Sequence, residues 1–267
     1  LTGRWTCIGL LAVLPCISHA AFEELPVGAR ALAMGGARAY PWAPFCLEGN
    51  PAGLALKSGF SVAAYATRLF GESDLLFACA EVDLPRLGFS ASTFGGSIYR
   101  ETVLAAGSGL SHGGMSFGIS AKAMLVSILG YGSDALVGID TGAAARLNRT
   151  AIIGVSATNV NLPAVGSSID GTPQILSLSV TLVPYEGSLF CADLAERVGD
   201  PPEILLGMEL ALADGLLLRS GMNPSIGTYS LGFALGRGAM SIEHSVMAHD
   251  PLGLTQGTSV CYRVSGR

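Results

Sequence analysis

Charge is scarce in this chain: Asp, Glu, Lys and Arg make up only 13% of its 267 residues. An ordinary soluble domain carries roughly 25%, so a surface built from this sequence would meet water poorly. Long apolar runs are missing as well. Beyond residue 20 no stretch approaches the roughly 18 consecutive apolar residues of a spanning helix, which argues against a helical membrane protein. A closed β-barrel is the other structure that satisfies every backbone polar group in lipid. A soluble β-sandwich is the competing fold, and the missing charges count against it on any face that would meet water. Basic patches are absent, and the net charge of −5 gives nucleic acid nothing to hold. Cys-x-x-Cys pairs and His pairs at ligand spacing are absent too, so the sequence points to no metal centre and no cofactor. Aromatic residues are only 7% of the chain, which makes the interfacial girdles of a membrane barrel thin.

Apolar residues, by contrast, make up 50% of the sequence, and 36 residues are Gly. That glycine content suits tight turns and close packing of strands. Residues 1–20 read as a secretory signal peptide, with Arg4 in the n-region, Trp5 to Ile17 as the apolar core and Ser18-His19-Ala20 as the cleavage site. Pro15 before Cys16 is wrong for a lipoprotein signal. Four cysteines then remain: Cys46, Cys79, Cys191 and Cys261. They allow two disulfides in three connectivities, or serve as small apolar wall residues.

Residues 21–57 do not alternate and are rich in Ala, Gly and Pro, with helical character around Val27–Met34. From Gly59 the pattern turns to period 2, the spacing that sends successive side chains to opposite faces of a strand. In Ile175–Val183, Leu176, Leu178, Val180 and Leu182 share one face, and Ser177, Ser179 and Thr181 share the other. Residues 204–212, 228–236 and 239–248 repeat the pattern, with His244 as a blemish on an apolar face. Weaker segments fall near 59–67, 75–83, 87–94, 102–111, 115–127, 136–147, 150–159, 188–194, 216–222 and 257–264. The count is about fourteen strands of roughly ten residues, the length a tilted transmembrane strand needs. The predicted fold is therefore all-β: a transmembrane antiparallel barrel over 58–267 with a short N-terminal plug segment over 21–57. The longest polar connection, Asn159–Pro173, is the candidate extracellular loop.

Several motifs carry a family resemblance. Gly28-Ala29-Arg30-Ala31-Leu32-Ala33-Met34-Gly35-Gly36-Ala37 and Glu48-Gly49-Asn50-Pro51-Ala52-Gly53-Leu54-Ala55 resemble the opening of the PorV/PorQ proteins, a branch of the FadL-like outer-membrane barrels. Gly154–Asn159, Leu206–Glu209, Leu218–Gly221 and His249–Gln256 resemble later stretches of the same family, in the same order. Met222 stands where an aromatic is usual, and Gln256 where His is common. The resemblance implies an outer-membrane protein that retains exported proteins by their C-terminal sorting domains, within type IX secretion. The likeness to FadL implies instead the passage of small hydrophobic molecules, with the plug and a lateral opening in the wall making the route. A passive structural envelope barrel is a third reading. Short loops argue against a large protein-binding surface.

If the apolar faces meet lipid, the opposite faces meet the lumen. Lys122, Asp140, Arg146, Asp193, Glu209, Arg219 and Glu243 are then the lumen candidates. They either pair with one another and hold the plug, or line a path. In the plug motif, Pro51 biases Asn50 away from the helical region, and the Asn50 side chain can close a local turn. With Ala52 and Gly53 these two residues are expected to fix the plug. Gly35 and Gly36 are expected to let the backbone bend or pack closely. Gly114-Met115-Ser116-Phe117-Gly118 matches a nucleophile elbow, but that motif needs a strand–turn–helix setting and here lies in a strand-like alternation. No enzyme is expected.

Overall fold

The computed structural model describes residues 21–38, 44–166 and 171–264. The leader expected at 1–20 lies outside the described residues. Fourteen antiparallel strands close into a barrel. In chain order they are β1 (Phe60–Arg68), β2 (Leu76–Leu84), β3 (Leu87–Gly95), β4 (Tyr99–His112), β5 (Met115–Ile128), β6 (Gly132–Arg146) and β7 (Ala151–Ala157). They continue as β8 (Ile175–Leu182), β9 (Ser188–Arg197), β10 (Glu203–Ala213), β11 (Leu216–Asn223), β12 (Thr228–Arg237), β13 (Met240–His249) and β14 (Gly253–Val264). Each strand pairs with its sequence neighbours, and β1 closes on β14 over Phe60–Arg68, so the sheet closes on itself.

The barrel is a protein turned inside out, as period 2 requires. On β8, Leu176, Leu178, Val180 and Leu182 are exposed, while Ser177, Ser179 and Thr181 are buried. The same alternation holds on β2, where Phe77, Cys79, Glu81 and Asp83 are buried and Leu76, Ala80 and Leu84 are exposed. A continuous band of exposed Leu, Ile, Val and Phe is tolerable only against lipid. Leu178→Arg, at the centre of β8 on that band, is therefore expected to cost about 2–4 kcal/mol when the barrel is refolded into bilayers. Denaturant titration in lipid measures it, and an unchanged midpoint would mean this face does not meet lipid.

His244 fits its outward position through a neighbour. Its Nδ1 lies 3.0 Å from the Thr258 hydroxyl on β14, and its ring packs against Phe233 with centroids 6.0 Å apart. All four described cysteines are free and buried, so neither disulfide forms; Cys79, Cys191 and Cys261 are small residues of the wall, and Cys46 lies in the plug.

The described residues of 21–57, namely 21–38 and 44–57, pack inside the barrel. They contain α1 (Ala29–Ala33), α2 (Cys46–Gly49) and a 3₁₀ turn over Pro51–Leu56. Glycine stripes on the inner wall make room for them. Added side chains at Gly118 and Gly142 would bring a Cβ within 2.2 Å of the Pro51 backbone and 2.1 Å of Asn50 Oδ1. At Gly221 a Cβ would sit 2.2 Å from the backbone of Met34 and Gly35. Much of the glycine content is thus a seat for the plug.

Candidate functional site

The site is the surface between plug and wall, and each element of the plug meets the wall through polar groups. At α1, the Ala29 amide donates to Ser259 Oγ at 2.8 Å. One turn on, the Gly35 amide donates to Ser230 Oγ at 3.0 Å, and that hydroxyl donates in turn to the Ala33 carbonyl. Gly35 and Gly36 both have positive φ, 70° and 87°, and a Cβ on Gly35 would lie 2.7 Å from the Met222 backbone. The expected bend and close approach therefore coincide at this pair.

Asn50 holds the other end. Its backbone is extended at φ −139° and ψ 106°, as a residue before proline should be. Its Oδ1 accepts from the Ala52 amide at 3.0 Å, closing the local turn. Its Nδ2 donates to the carbonyls of Val155 at 3.2 Å and Ala143 at 3.4 Å. Those two residues face each other across the β6–β7 seam. One plug amide thus bridges two wall strands, beside Pro51, Ala52 and Gly53, which are buried against the wall glycines.

The lumen candidates divide into groups. Glu209, Arg219 and Glu243 come together with Arg30 of the plug. Glu209 Oε2 accepts from Arg30 Nε at 2.9 Å and from Arg219 Nε at 2.6 Å. Arg219 also makes a paired bond to Glu243, at 2.9 and 3.2 Å. Glu209 and Arg219 are direct cross-strand partners on β10 and β11. Arg219 reaches β13 because the residue beside it on β12 is Gly232, which has no side chain to block the way. Lys122 pairs with Asp140 at 2.9 Å. Asp193 accepts from the Arg38 amide, again joining wall to plug. Arg146 lies apart from these groups: it sits at the end of β6, exposed at the mouth near His112 and Ile152.

Other partners of the plug carried no motif in the sequence. The Phe22 amide donates to Glu101 Oε1 at 2.7 Å. Glu23 pairs with Arg197, and Glu24 with Arg38 at 2.6 Å. Lys57 Nζ lies 2.6 Å from Asp83 Oδ2, which also accepts from Ser61 Oγ at 2.8 Å. Glu48 accepts from Ser90 Oγ. Burial pushes the Glu48 carboxyl above its ordinary range, with the Ser90 hydroxyl pulling the other way. Burial likewise raises the Cys46 thiol, and the negative charge of Glu81 adds to it. The one signal that could have found Glu81 and Asp83 is their period-2 spacing on β2, opposite Ala80, Val82 and Leu84. Between the plug and the wall remains a cavity of about 80 Å³, lined by Phe22, Glu24, Phe94, Glu101, Lys122 and Asp140. Ser116 faces inward from within β5, so the elbow-like motif has no helix after it.

Comparison with known proteins supports the fold. No protein-family model and no curated protein matches the sequence. Solved structures do. The chain is similar to the CymD monoaromatic hydrocarbon channel, with a TM-score of 0.65 and 13% identity over 92% of this chain and 99% of that one. It is similar to the Pseudomonas putida toluene transporter TodX, with a TM-score of 0.60 and 13% identity over 88% of this chain and 97% of that one. The Acinetobacter baumannii outer membrane protein Omp33 matches more loosely, with a TM-score of 0.50 and 9% identity over 79% of this chain and all of the other, 100%.

Proposed function

We propose that the protein is an outer-membrane channel for small hydrophobic molecules, opened by movement of its plug. The observation that carries this reading is Asn50, whose side-chain amide joins the plug to both strands of the β6–β7 seam. That seam is short: β7 pairs with β6 only over Thr141–Arg146, and above it β6 is held by the connection after β7, through Asn159, Val160 and Asn161 on Asp140, Ile139 and Val137. An apolar groove of about 510 Å³, lined by Val155, Leu176, Leu178 and Leu194, lies beside the seam. The lumen is crowded with ion pairs, where an apolar solute would strip water from charged groups. A sideways exit at the seam avoids that cost. The names of CymD and TodX, a monoaromatic hydrocarbon channel and a toluene transporter, point to the same solute class. In this orientation the short turns at 85–86, 113–114, 214–215 and 238–239 are periplasmic, and the mouth carrying 69–75 and 158–174 faces outward.

Retention of exported proteins within type IX secretion is supported by the sequence motifs alone. Among the described residues, the outward mouth has one long connection, 158–166 with 171–174, with which to build a protein-binding surface.

Uptake of radiolabelled toluene by intact cells, whose lipopolysaccharide leaflet resists apolar solutes, tests the channel. Uptake should exceed that of the same cells without the protein, and a sugar of similar size should not pass. Asn50→Ala removes both bonds to the seam and should raise the toluene rate. Equal uptake with and without protein would overturn the reading.

A further inference from the structure

We propose that Cys46, Glu81 and Asp83 form a binding site for a divalent transition-metal ion of the Zn²⁺ class, tying the plug to the wall. Cys46 comes from α2 of the plug; Glu81 and Asp83 come from the inner face of β2. The Cys46 sulfur and one oxygen from each carboxylate all lie within 4.8 Å of one another, and all three residues are buried.

The second observation is what these carboxylates lack. Glu81 is 1% exposed, and apart from the Asp83 carboxyl beside it no described group gives its oxygens a hydrogen bond. Asp83 is split in two: Lys57 and Ser61 hold Oδ2, while Oδ1 accepts nothing. Buried acceptors without partners are costly, and a carboxylate in that state is costlier still. Lys57 and Ser61 also stand where the outer partners of a ligating carboxylate stand, fixing one oxygen and leaving the other to bind.

Charge points the same way. With the thiol ionised, three anionic groups face the single ammonium of Lys57, and a divalent cation brings the set to neutrality. The proton released by Cys46 on binding leaves to solvent. A sulfur ligand selects Zn²⁺ over Mg²⁺ or Ca²⁺. Three protein ligands leave one tetrahedral position for water. A small cavity of about 50 Å³ reaches Cys46 from the plug side, beside Phe45 and Glu48. Zn²⁺ bonds of about 2.0–2.3 Å keep ligand atoms within about twice that length of one another, the range in which these three atoms lie. A metal held here would slow movement of the plug, a consequence that rests on the channel reading; the binding itself does not.

The test uses the full chain folded in detergent, stripped with a chelator, loaded with Zn²⁺ and passed through gel filtration. A single tightly held equivalent is expected. Loading with Co²⁺ instead should give a thiolate-to-metal charge-transfer band. Cys46→Ser and Glu81→Gln should each weaken binding by about tenfold or more while heat-modifiable gel migration stays normal. No retained Zn²⁺ in the wild type overturns the proposal, and so does unchanged affinity in both variants. In that case Glu81 and Asp83 share a proton instead. Should Glu81→Gln fail to fold, the Co²⁺ band of the wild type decides alone, and its absence overturns the site. Retention is read without transport, so its failure and a failed uptake assay are separate results.

Discussion

Arg219→Ala is expected to destabilise the barrel by about 3–5 kcal/mol, the usual cost of removing one member of a buried ionic set. Arg219 is 3% exposed and serves two carboxylates. Its loss leaves Glu243 buried with no cation, while Glu209 keeps Arg30. The measurement is the temperature or urea concentration at which the fast-migrating folded band on a gel gives way to the unfolded one. A second variant isolates the cause. Arg219→Met combined with Glu243→Gln removes both charges of the broken pair and keeps Glu209 with Arg30, so most of the lost stability should return. A double variant as unstable as Arg219→Ala would mean the cost is packing, not charge.

Gly118→Val carries the second large effect, and it falls on the plug. A Cβ there would stand 2.2 Å from the carbonyl carbon and oxygen of Pro51. Both sides of the clash are backbone, so no flexible side chain can move aside. Overpacking of a core costs about 1–3 kcal/mol, but this wall is a hydrogen-bonded strand between two others, and the plug turn is the part free to leave. The barrel should still form, with normal heat-modifiable migration. The Pro51–Leu56 turn should come off the wall, take Asn50 away from the seam, and make the lumen conduct ions in planar bilayers. Ala121→Val, on the exposed outer face of the same strand, should conduct as little as the wild type. Equal conductance in the wild type and Gly118→Val would mean the turn does not seal the lumen.

The strands were legible because lipid imposes period 2 on them. In Ile175–Leu182, the clearest case, Leu176, Leu178, Val180 and Leu182 alternate with Ser177, Ser179 and Thr181. Strand ends were less legible: β4 begins at Tyr99 and β6 at Gly132, several residues before the alternation becomes clean, because residues near the mouths leave the apolar band and lose the constraint. Asn50-Pro51 was readable as a fixing element from local chemistry, yet its partners at Ala143 and Val155 were not, because a contact across some hundred residues leaves no local trace. Arg30 shows the same limit. It sits in a helical stretch of the plug and pairs with Glu209, 179 residues away. Glycine reads from the sequence as turns, and many do lie in turns with positive φ; those on the inner wall, such as Gly118, Gly142 and Gly221, reveal their role only once the plug lies against them.

The most direct test of the channel reading is a lock on the seam. Ala143 and Val155 are direct cross-strand partners on β6 and β7, and opposed residues in an antiparallel pair lie within disulfide reach. Toluene uptake by intact cells is measured with Ala143→Cys and Val155→Cys combined, first oxidised and then reduced. Uptake should fall towards that of cells without the protein when the pair is oxidised and recover with reductant. Uptake that is the same in both states would contradict passage through the β6–β7 seam.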